Sequence, residues 1–364
     1  MNQYELETIE VQGNPRQLGE SQGEALRERI QRFVAMRFDS VDGYFRERGF
    51  DGAKGIREMG RLSAAIHAEW DPDGYVEHQG IAAGAGVDAN DLYTATNMTD
   101  MRDALLLSAA SGPLMAKQPE EGCSSLLVPA GRTRDGHSLA GQTWDLNPPD
   151  VEYIVAIRRR PNEGPQTWSI TCSGCLSLMG FNEFGLGIGT TNIKTYGSRP
   201  GVGYLGILHR VIRASNVDEA VELIESAPLA AAHTYWLADE KRLFEWEASP
   251  NGCFGRSADE APLQRTNHCI APDHVDIQGE APSESSHRRF DRIATMLSGS
   301  EINPMYLRDV FSDRSDGVQS VNRYAEDGLG TATNAILITE PATRRGWACR
   351  GQGDRGQWIE LDFS

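Results

Sequence analysis

The chain has 364 residues, with 35 Lys and Arg against 52 Asp and Glu, and a formal net charge of −17. This acidity disfavours nucleic acid and anionic membrane surfaces as partners, because both are bound through basic faces. The length suggests one large domain or two ordinary ones, and the 39% hydrophobic content is typical of a globular protein. The N-terminal residues lack the pattern of a signal peptide, so we expect a soluble, cytoplasmic protein with reduced cysteines.

The first third of the chain predicts helices. Apolar residues recur at helical spacing over residues 18–36 and again over residues 56–70. Gly13-Asn14-Pro15 predicts a turn before the first of these helices, and residues 71–74 end the second. Residues 113–122 are predicted to form an exposed polar connector.

At residue 123 the pattern changes to strands. Residues 125–128 and 139–144 predict a hairpin that turns at residues 134–137. Further strands are predicted at residues 151–158, 167–171, 186–189, 235–238, 243–247, 332–339 and 346–350. Helices are predicted at residues 205–212, 217–226, 286–297 and 305–311. Strands, then paired helices, then strands predict a layered α+β domain.

The junction between connector and strand is Gly122-Cys123. A thiol at this position can attack the preceding carbonyl, move the acyl group from nitrogen to sulfur, and release a new N-terminus. The new α-amine, with an ordinary pKa of about 7.7–8.0, can then act as base for its own thiol. A single cysteine at a strand start is more often a small buried hydrophobe, so Cys123 alone does not decide between these interpretations.

The surrounding residues add a family resemblance. Residues 122–128 (GCSSLLV), Asp135-Gly136 and residues 141–145 (GQTWD) resemble the start of the β-subunit in the acyl-coenzyme A:6-aminopenicillanic acid acyltransferase family, peptidase family C45. Further segments resemble it in the same order: residues 13–15, 18–19 and 23–24; residues 180–186 and 191–192; residues 265–268; residues 285–289; and residues 321–324. Asn322 stands where the family often has Cys.

The resemblance implies the N-terminal-nucleophile (Ntn) hydrolase fold, a four-layer αββα sandwich. It also implies a proenzyme that cuts itself between Gly122 and Cys123. Residues 1–122 would become a helical α-chain that stays packed, as a heterodimer, on a β-chain of residues 123–364.

The resemblance implies four catalytic residues, with Cys123 as the nucleophile. Asp145 would hold the new amine or orient the thiol, and Asn267 would donate its side-chain NH₂ to an oxyanion. Arg323 would supply positive charge near the thiolate or a substrate carboxylate. The plainer alternatives are a turn residue for Asp145, a loop cap for Asn267 and a surface ion pair for Arg323.

We predict that the substrate is bound by Trp144, Cys175, Asn192 and His233. Cys175 ends a C-x-x-C motif that has no second pair for a zinc site and no thioredoxin-like context, so pocket lining or packing explains it better. His233 stands ahead of a predicted strand, where a satisfied core histidine is commoner than a base.

The predicted function is cleavage or transfer of the acyl group of a small amide or thioester through an acyl-Cys123 intermediate, without metal or cofactor. Water would make the protein an amidohydrolase, which we favour, and an amine would make it an acyltransferase. Two alternatives stay open. One is a papain-like hydrolase that pairs Cys123 or Cys175 with His268 or His233, and the other is a non-catalytic Ntn-fold binder of a small ligand.

Overall fold

The computed structural model describes residues 4–47, 52–112, 122–299 and 301–364. The strands in these ranges are β1 Thr8–Gly13, β2 Ser124–Val128, β3 Leu139–Leu146, β4 Ile154–Pro161, β5 Thr167–Cys172, β6 Met179–Asn182, β7 Gly187–Asn192, β8 His233–Ala238, β9 Leu243–Ser249, β10 Gly252–Ser257, β11 Leu263–Arg265, β12 Ala332–Glu340, β13 Arg345–Arg350 and β14 Trp358–Leu361. The helices are α1 Pro15–Ala25, α2 Arg27–Glu47, α3 Ala53–Trp70, α4 Pro72–Ala85, α5 Ala89–Thr96, α6 Met98–Leu106, α7 Tyr204–Val211, α8 Val217–Glu225, α9 Pro272–Val275, α10 Glu284–Met296 and α11 Pro304–Phe311.

Two sheets pack face to face between layers of helices. The larger sheet has the strand order β1-β4-β5-β6-β7-β8-β9-β10, and the smaller has the order β11-β2-β3-β12-β13-β14. Helices α1, α7 and α8 cover the larger sheet, and α10 and α11 cover the smaller one. Strands β2 and β12 are buried along their whole length because both of their faces are covered. This four-layer αββα sandwich confirms the predicted α+β fold class.

The N-terminal helices are joined tightly to each other and to the larger sheet. The Asn14 side chain caps α1 by accepting the backbone N–H of Gln17, and the Gln17 side chain accepts the backbone N–H of Asn14. Helices α1 and α4 then cross at contact distance through glycines. A Cβ atom on Gly19 would lie 2.0 Å from the carbonyl oxygen of Glu77, and one on Gly84 would lie 2.4 Å from that of Glu20. The crossing brings Glu77 against β4.

The prediction that the first third of the chain is helical is wrong for Thr8–Gly13, which forms strand β1. It lies at one edge of the larger sheet and pairs with β4 in parallel, so its partner comes far later in the sequence. Most of its residues are exposed or half-buried, so it lacks the apolar pattern of a central strand. The strand predicted at residues 151–158 begins only at residue 154, because Pro148–Tyr153 forms a 3₁₀ helix.

The predicted connector falls mostly at residues 113–121, outside the described residues. Its last residue, Gly122, is buried rather than exposed. No helix in the described ranges has both the length and the apolar content needed to cross a bilayer.

Candidate active site

The hairpin of β2 and β3 places Cys123 at the end of β3. Ser124 pairs with Thr143 across the hairpin, so this register carried two residues further sets Cys123 opposite Trp144 and Gly122 opposite Asp145. The Cys123 thiol donates to the Asp145 carbonyl oxygen at 3.8 Å, and the Gly122 N–H donates to the same oxygen at 3.4 Å. The predicted nucleophile and the peptide bond before it are therefore held against one strand end.

The Arg323 guanidinium lies directly against Gly122. A Cβ atom on this residue would lie 2.7 Å from Arg323 Nε and 2.8 Å from its Cζ. Any side chain at position 122 would therefore displace a buried arginine. Close packing against Arg323 therefore requires glycine at position 122.

Arg289 on α10 connects the predicted catalytic residues. Its Nη1 donates to the Cys123 carbonyl oxygen at 2.6 Å and to Ser124 Oγ at 2.8 Å, and its Nη2 donates to Asn267 Oδ1 at 3.0 Å. Arg289 is completely buried. Residues 285–289 are part of the family resemblance, but no role was predicted for Arg289. The available signal was its helical spacing from Ile293, which places a charge on the buried face of an amphipathic helix.

Arg289 and Arg323 are fixed side by side by a shared serine. Ser285 Oγ accepts a hydrogen bond from Arg289 Nε at 3.2 Å and another from Arg323 Nη2. Arg323 Nη1 also donates to Thr331 Oγ1 at 2.8 Å. Because Arg323 is completely buried, the alternative of a surface ion pair is wrong.

Asp145 is a completely buried carboxylate beside these two cations. Burial raises the pKa of Asp145 to about 6, although Arg323 and Arg289 act to lower it. The hydroxyls of Thr333 and Thr143 lie near enough to lower this pKa further. Even so, neither carboxylate oxygen meets full hydrogen-bond geometry with any of the described residues. A buried carboxylate without its hydrogen bonds is costly, and such groups concentrate at functional sites.

Asn267 is oriented by two hydrogen bonds. Its Oδ1 accepts from Arg289, and its Nδ2 donates to the Asn192 carbonyl oxygen at 2.9 Å. An amide NH₂ group has two protons, so one proton remains for an oxyanion. This arrangement is more specific than a loop cap requires.

Cys123 opens into a cleft with an empty volume of about 350 Å³. The cleft is lined by Thr99, Cys123, Trp144, Asp145, Leu146, Thr190, Asn192, Tyr204 and His233. A second cleft of about 440 Å³ shares Asn192 and contains Asn267. The structure thus places three of the four predicted substrate-binding residues on the wall of the first cleft, and the two clefts meet at Asn192.

Cys175 is the predicted substrate-binding residue that the structure does not place on this wall. Gly174, with a φ of +89°, turns the chain so that Cys175 enters the hydrophobic core. There its carbonyl oxygen accepts a hydrogen bond from Gln22 Nε2 at 2.9 Å. Burial also raises the pKa of the neighbouring Cys172 thiol well above its usual range, which disfavours thiolate chemistry at this motif.

Both histidines of the papain-like alternative are paired with other residues. His233 Nε2 lies 2.6 Å from Asp100 Oδ1, and His268 Nδ1 lies 2.8 Å from Ser286 Oγ. Burial lowers the pKa of His268 to about 4, which makes it a weak base at neutral pH. This low pKa disfavours His268 as the base for Cys123.

Several known proteins are similar to this chain. One curated relative, the 40 kDa form of acyl-coenzyme A:6-aminopenicillanic-acid-acyltransferase from Emericella nidulans, is 22% identical over 333 residues, which are 91% of this chain and 88% of that protein. Among solved structures, a variant of conjugated bile acid hydrolase from Clostridium perfringens is 15% identical with a TM-score of 0.48, covering 66% of this chain and 92% of that one. Penicillin V acylase from Agrobacterium tumefaciens is 13% identical with a TM-score of 0.44, covering 66% and 86%.

The family comparison covers most of the chain. Residues 132–355 match the family model described as acyl-coenzyme A:6-aminopenicillanic acid acyl-transferase. The match includes Asp145, Asn267, Arg289 and Arg323, and it begins shortly after Cys123. It confirms the resemblance and the predicted enzyme class, an acyltransferase or C–N amide hydrolase. The chain belongs to the acyl-coenzyme A:6-aminopenicillanic acid acyl-transferase family.

Proposed function

We propose that this protein is a self-processing cysteine enzyme that cleaves or transfers the acyl group of a small amide through an acyl-Cys123 intermediate. The observation that carries the proposal is the junction itself. Gly122 and Cys123 are held on the end of β3, beside a buried carboxylate without its full hydrogen bonds and two buried arginines.

Processing needs one thiol, one carbonyl and one water. Cys123 Sγ attacks the Gly122 carbonyl carbon, a C–S bond forms, and the C–N bond to Cys123 breaks as its nitrogen takes a proton. Water then hydrolyses the thioester, which leaves a carboxylate on Gly122 and restores the thiol. Arg323, packed against Gly122, supplies positive charge where the attacked carbonyl develops negative charge.

Turnover repeats this chemistry on a substrate. The new α-amine of Cys123 takes the thiol proton, and the thiolate attacks the substrate carbonyl. Asn267 donates its remaining amide proton to the oxyanion, and Arg289 keeps that amide oriented. The leaving amine departs with a proton and leaves an acyl-Cys123 thioester. Asp145, ionised at neutral pH, stabilises the ammonium form of the amine.

The two fragments are expected to remain together after cleavage, because buried polar contacts cross between them. Arg159 on β4 donates to Glu77 Oε1 at 2.7 Å and to Gln22 Oε1 at 3.0 Å. Both acceptors belong to the N-terminal helices, so the α-chain is an integral part of the fold.

Trapping the acyl-enzyme tests the proposal. We would incubate purified protein with acetyl, hexanoyl and phenylacetyl p-nitroanilides and measure the intact mass of the fragment that begins at Cys123. The expected result is nitroaniline release and an adduct with the mass of the acyl group, with both lost in Cys123→Ala. Cys253→Ala, at a half-buried cysteine away from the cleft, is the matched control and should behave as the wild type.

The same assay separates the alternatives. Recovery of the free acid shows hydrolysis, and recovery of a new amide when a primary amine is added shows transfer. An uncut chain whose turnover depends on His268 would instead support the papain-like alternative. A chain that binds the amides but releases no nitroaniline would support the non-catalytic binder.

A further inference from the structure

Asp100 and His233 form a buried pair at the wall of the Cys123 cleft. Asp100 Oδ1 lies 2.6 Å from His233 Nε2, and Asp100 Oδ2 accepts the backbone N–H of Tyr204 at 2.7 Å. Asp100 is 1% exposed and His233 is 2% exposed. The Tyr204 N–H supplies a donor to Asp100 Oδ2, and a proton on His233 Nε2 would supply one to Oδ1, so the pairing selects the tautomer protonated at Nε2.

This pairing determines what the other ring nitrogen can do. A neutral imidazole protonated at Nε2 has a lone pair at Nδ1, so Nδ1 is a hydrogen-bond acceptor. His233 Nδ1 is buried and has no hydrogen-bond partner among the described residues. The ring itself is fixed, because it stacks on Tyr204 with centroids 4.8 Å apart and an interplanar angle of 24°.

Asp145 also lines the cleft, but the proposed function assigns its carboxylate to the amine of Cys123. Tyr204, Trp144 and Leu146 contribute large apolar surfaces near Cys123. The hydroxyl of Thr190 already donates to the Thr234 carbonyl oxygen at 2.8 Å. His233 Nδ1 is therefore a fixed, unsatisfied nitrogen of a residue on the wall of a mainly apolar cleft.

We infer that His233 is a specificity-determining residue that accepts a hydrogen bond from an O–H or N–H group on the acyl portion of the substrate. The enzyme then selects acyl groups that carry such a donor over plain hydrocarbon groups of the same shape. This inference rests on the proposed function, in which the carbonyl attacked by Cys123 lies in this cleft. A site built around a buried polar group rejects an analogue that leaves the group unpaired.

Protection of Cys123 from iodoacetamide measures this selectivity without turnover. The probes are phenylacetamide and its 3-hydroxy and 4-hydroxy derivatives, with hexanamide and its 5-hydroxy and 6-hydroxy derivatives as an aliphatic series. At least one hydroxylated amide should protect wild-type Cys123 at a concentration about tenfold or more below that of its parent.

Two substitutions at position 233 separate the two ring nitrogens. His233→Gln keeps a donor for Asp100 but has no acceptor at the Nδ1 position, so the preference for hydroxylated amides should disappear. His233→Asn keeps an acceptor near the Nδ1 position and should retain part of the preference. These variants also serve where His233→Phe, the simplest deletion of the acceptor, fails to fold.

Asp100→Asn tests the tautomer directly. The new amide would accept the Tyr204 N–H with its oxygen and donate its NH₂ to His233 Nε2, which moves the ring proton to Nδ1. The preference should then invert, with methoxy derivatives protecting better than hydroxyl derivatives. A merely structural role for the pair would lower protection by all of the probes together.

The outcomes distinguish this inference from the proposed function. Equal protection by parent and hydroxylated amides, with normal labelling of Cys123, would overturn the inference alone. A preference that survives in His233→Gln would also overturn it. A Cys123 that iodoacetamide labels no faster than Cys253 would contradict the proposed function and, with it, the inference.

Discussion

Glu77 and Asp145 are two buried carboxylates beside buried arginines, and their pKa values are shifted in opposite directions. Burial alone would raise the pKa of Glu77, but His209 and Arg159 outweigh it and lower the pKa to about 2. Its two oxygens face Arg159 Nε at 2.7 Å and His209 Nε2 at 3.2 Å. Burial raises the pKa of Asp145 to about 6. The neighbouring arginines do not outweigh burial here, because neither forms a hydrogen bond to Asp145 among the described residues.

The two carboxylates also differ in whether their oxygens have hydrogen-bond partners. Glu77 joins the N-terminal helices to the larger sheet, and each of its oxygens has a partner, so it has little left to offer a ligand. Asp145 lies near Cys123, and neither of its oxygens meets full hydrogen-bond geometry with a described residue. In the proposed function this arrangement would destabilise the uncut chain and leave a carboxylate for the amine that cleavage would create.

The largest expected effect is that of Asp145→Asn. The amide has nearly the shape of the carboxylate but cannot stabilise the ammonium of Cys123. We expect kcat/KM for a p-nitroanilide substrate to fall about 10²–10⁴-fold, with self-cleavage slowed in parallel. Retention of more than a tenth of the wild-type kcat/KM would show that Asp145 takes no part in the chemistry.

Glu77→Gln is the matched substitution on the structural side. It leaves Arg159 and His209 buried without their counter-charge, so the free energy of unfolding should fall by about 3 kcal/mol in urea titrations. The kcat of the folded, processed enzyme should stay within about threefold of wild type. Glu69→Gln, at an exposed position of α3, is the control and should change stability by less than about 0.5 kcal/mol. A Glu77→Gln enzyme that is stable but inactive would reverse the roles assigned to the two carboxylates.

Gly122→Ala tests whether cleavage requires the close packing of Arg323 against Gly122. Its Cβ would press on Arg323 Nε at 2.7 Å and shift either the guanidinium or the carbonyl that Cys123 attacks. Since small misplacements of reacting groups are costly, we expect cleavage to slow by about tenfold or more, followed by gel electrophoresis over time. Gly131→Ala, where an added Cβ meets nothing within 4 Å, should be cleaved at the wild-type rate. Equal rates for the two variants would exclude close packing of Arg323 as a requirement for cleavage.

The smallest effect is a change of slope in the pH profile. The α-amine must be unprotonated to act as base, so log kcat/KM should fall with a slope of about one below pH 7.7–8.0. The pKa of about 6 belongs to Asp145 in the uncut chain, and the ammonium that cleavage would place beside it lowers this pKa. The second unit of slope, from protonation of Asp145, is therefore expected below pH 6, and Asp145→Asn should show only the first.

The protein should remain folded in this acid range. The pKa of Asp145 is raised by folding, so protonation between pH 6 and pH 4 favours the native state. The pKa of Glu77 is lowered by folding, so its stabilising contribution is present above pH about 4.5 and is lost only as the pH falls towards 2. A coincident loss of near-ultraviolet circular dichroism and activity near pH 6 would contradict this assignment.

The parts of the site that follow from local sequence were predictable. Cys123 and Asp145 belong to one hairpin, so the spacing of its strands already implied their proximity. Asn267 and Arg323 came from the family resemblance, and the structure brings both to the same cluster. Arg289 was missed because its contact with Cys123 spans 166 positions and depends on how α10 docks on β2.

Contacts between residues far apart in the sequence also explain why strand β1 and the Asp100–His233 pair were not predicted. Strand β1 finds its partner only in β4, and its own residues lack the apolar pattern of a buried strand. His233 was predicted to contact substrate, but nothing in the sequence pairs it with Asp100, which lies 133 positions away on helix α6. Non-local pairings of this kind are set by packing of whole layers, which residue spacing along the chain does not encode.

Intact-mass spectrometry of freshly purified wild-type protein beside Cys123→Ala tests the central claim most directly. We expect the 40.0 kDa chain to give two fragments of about 13 and 27 kDa, the larger beginning at Cys123, and Cys123→Ala to stay whole. A wild-type chain that remains uncut under conditions where it turns over an amide would contradict the proposal that an N-terminal Cys123 is the nucleophile.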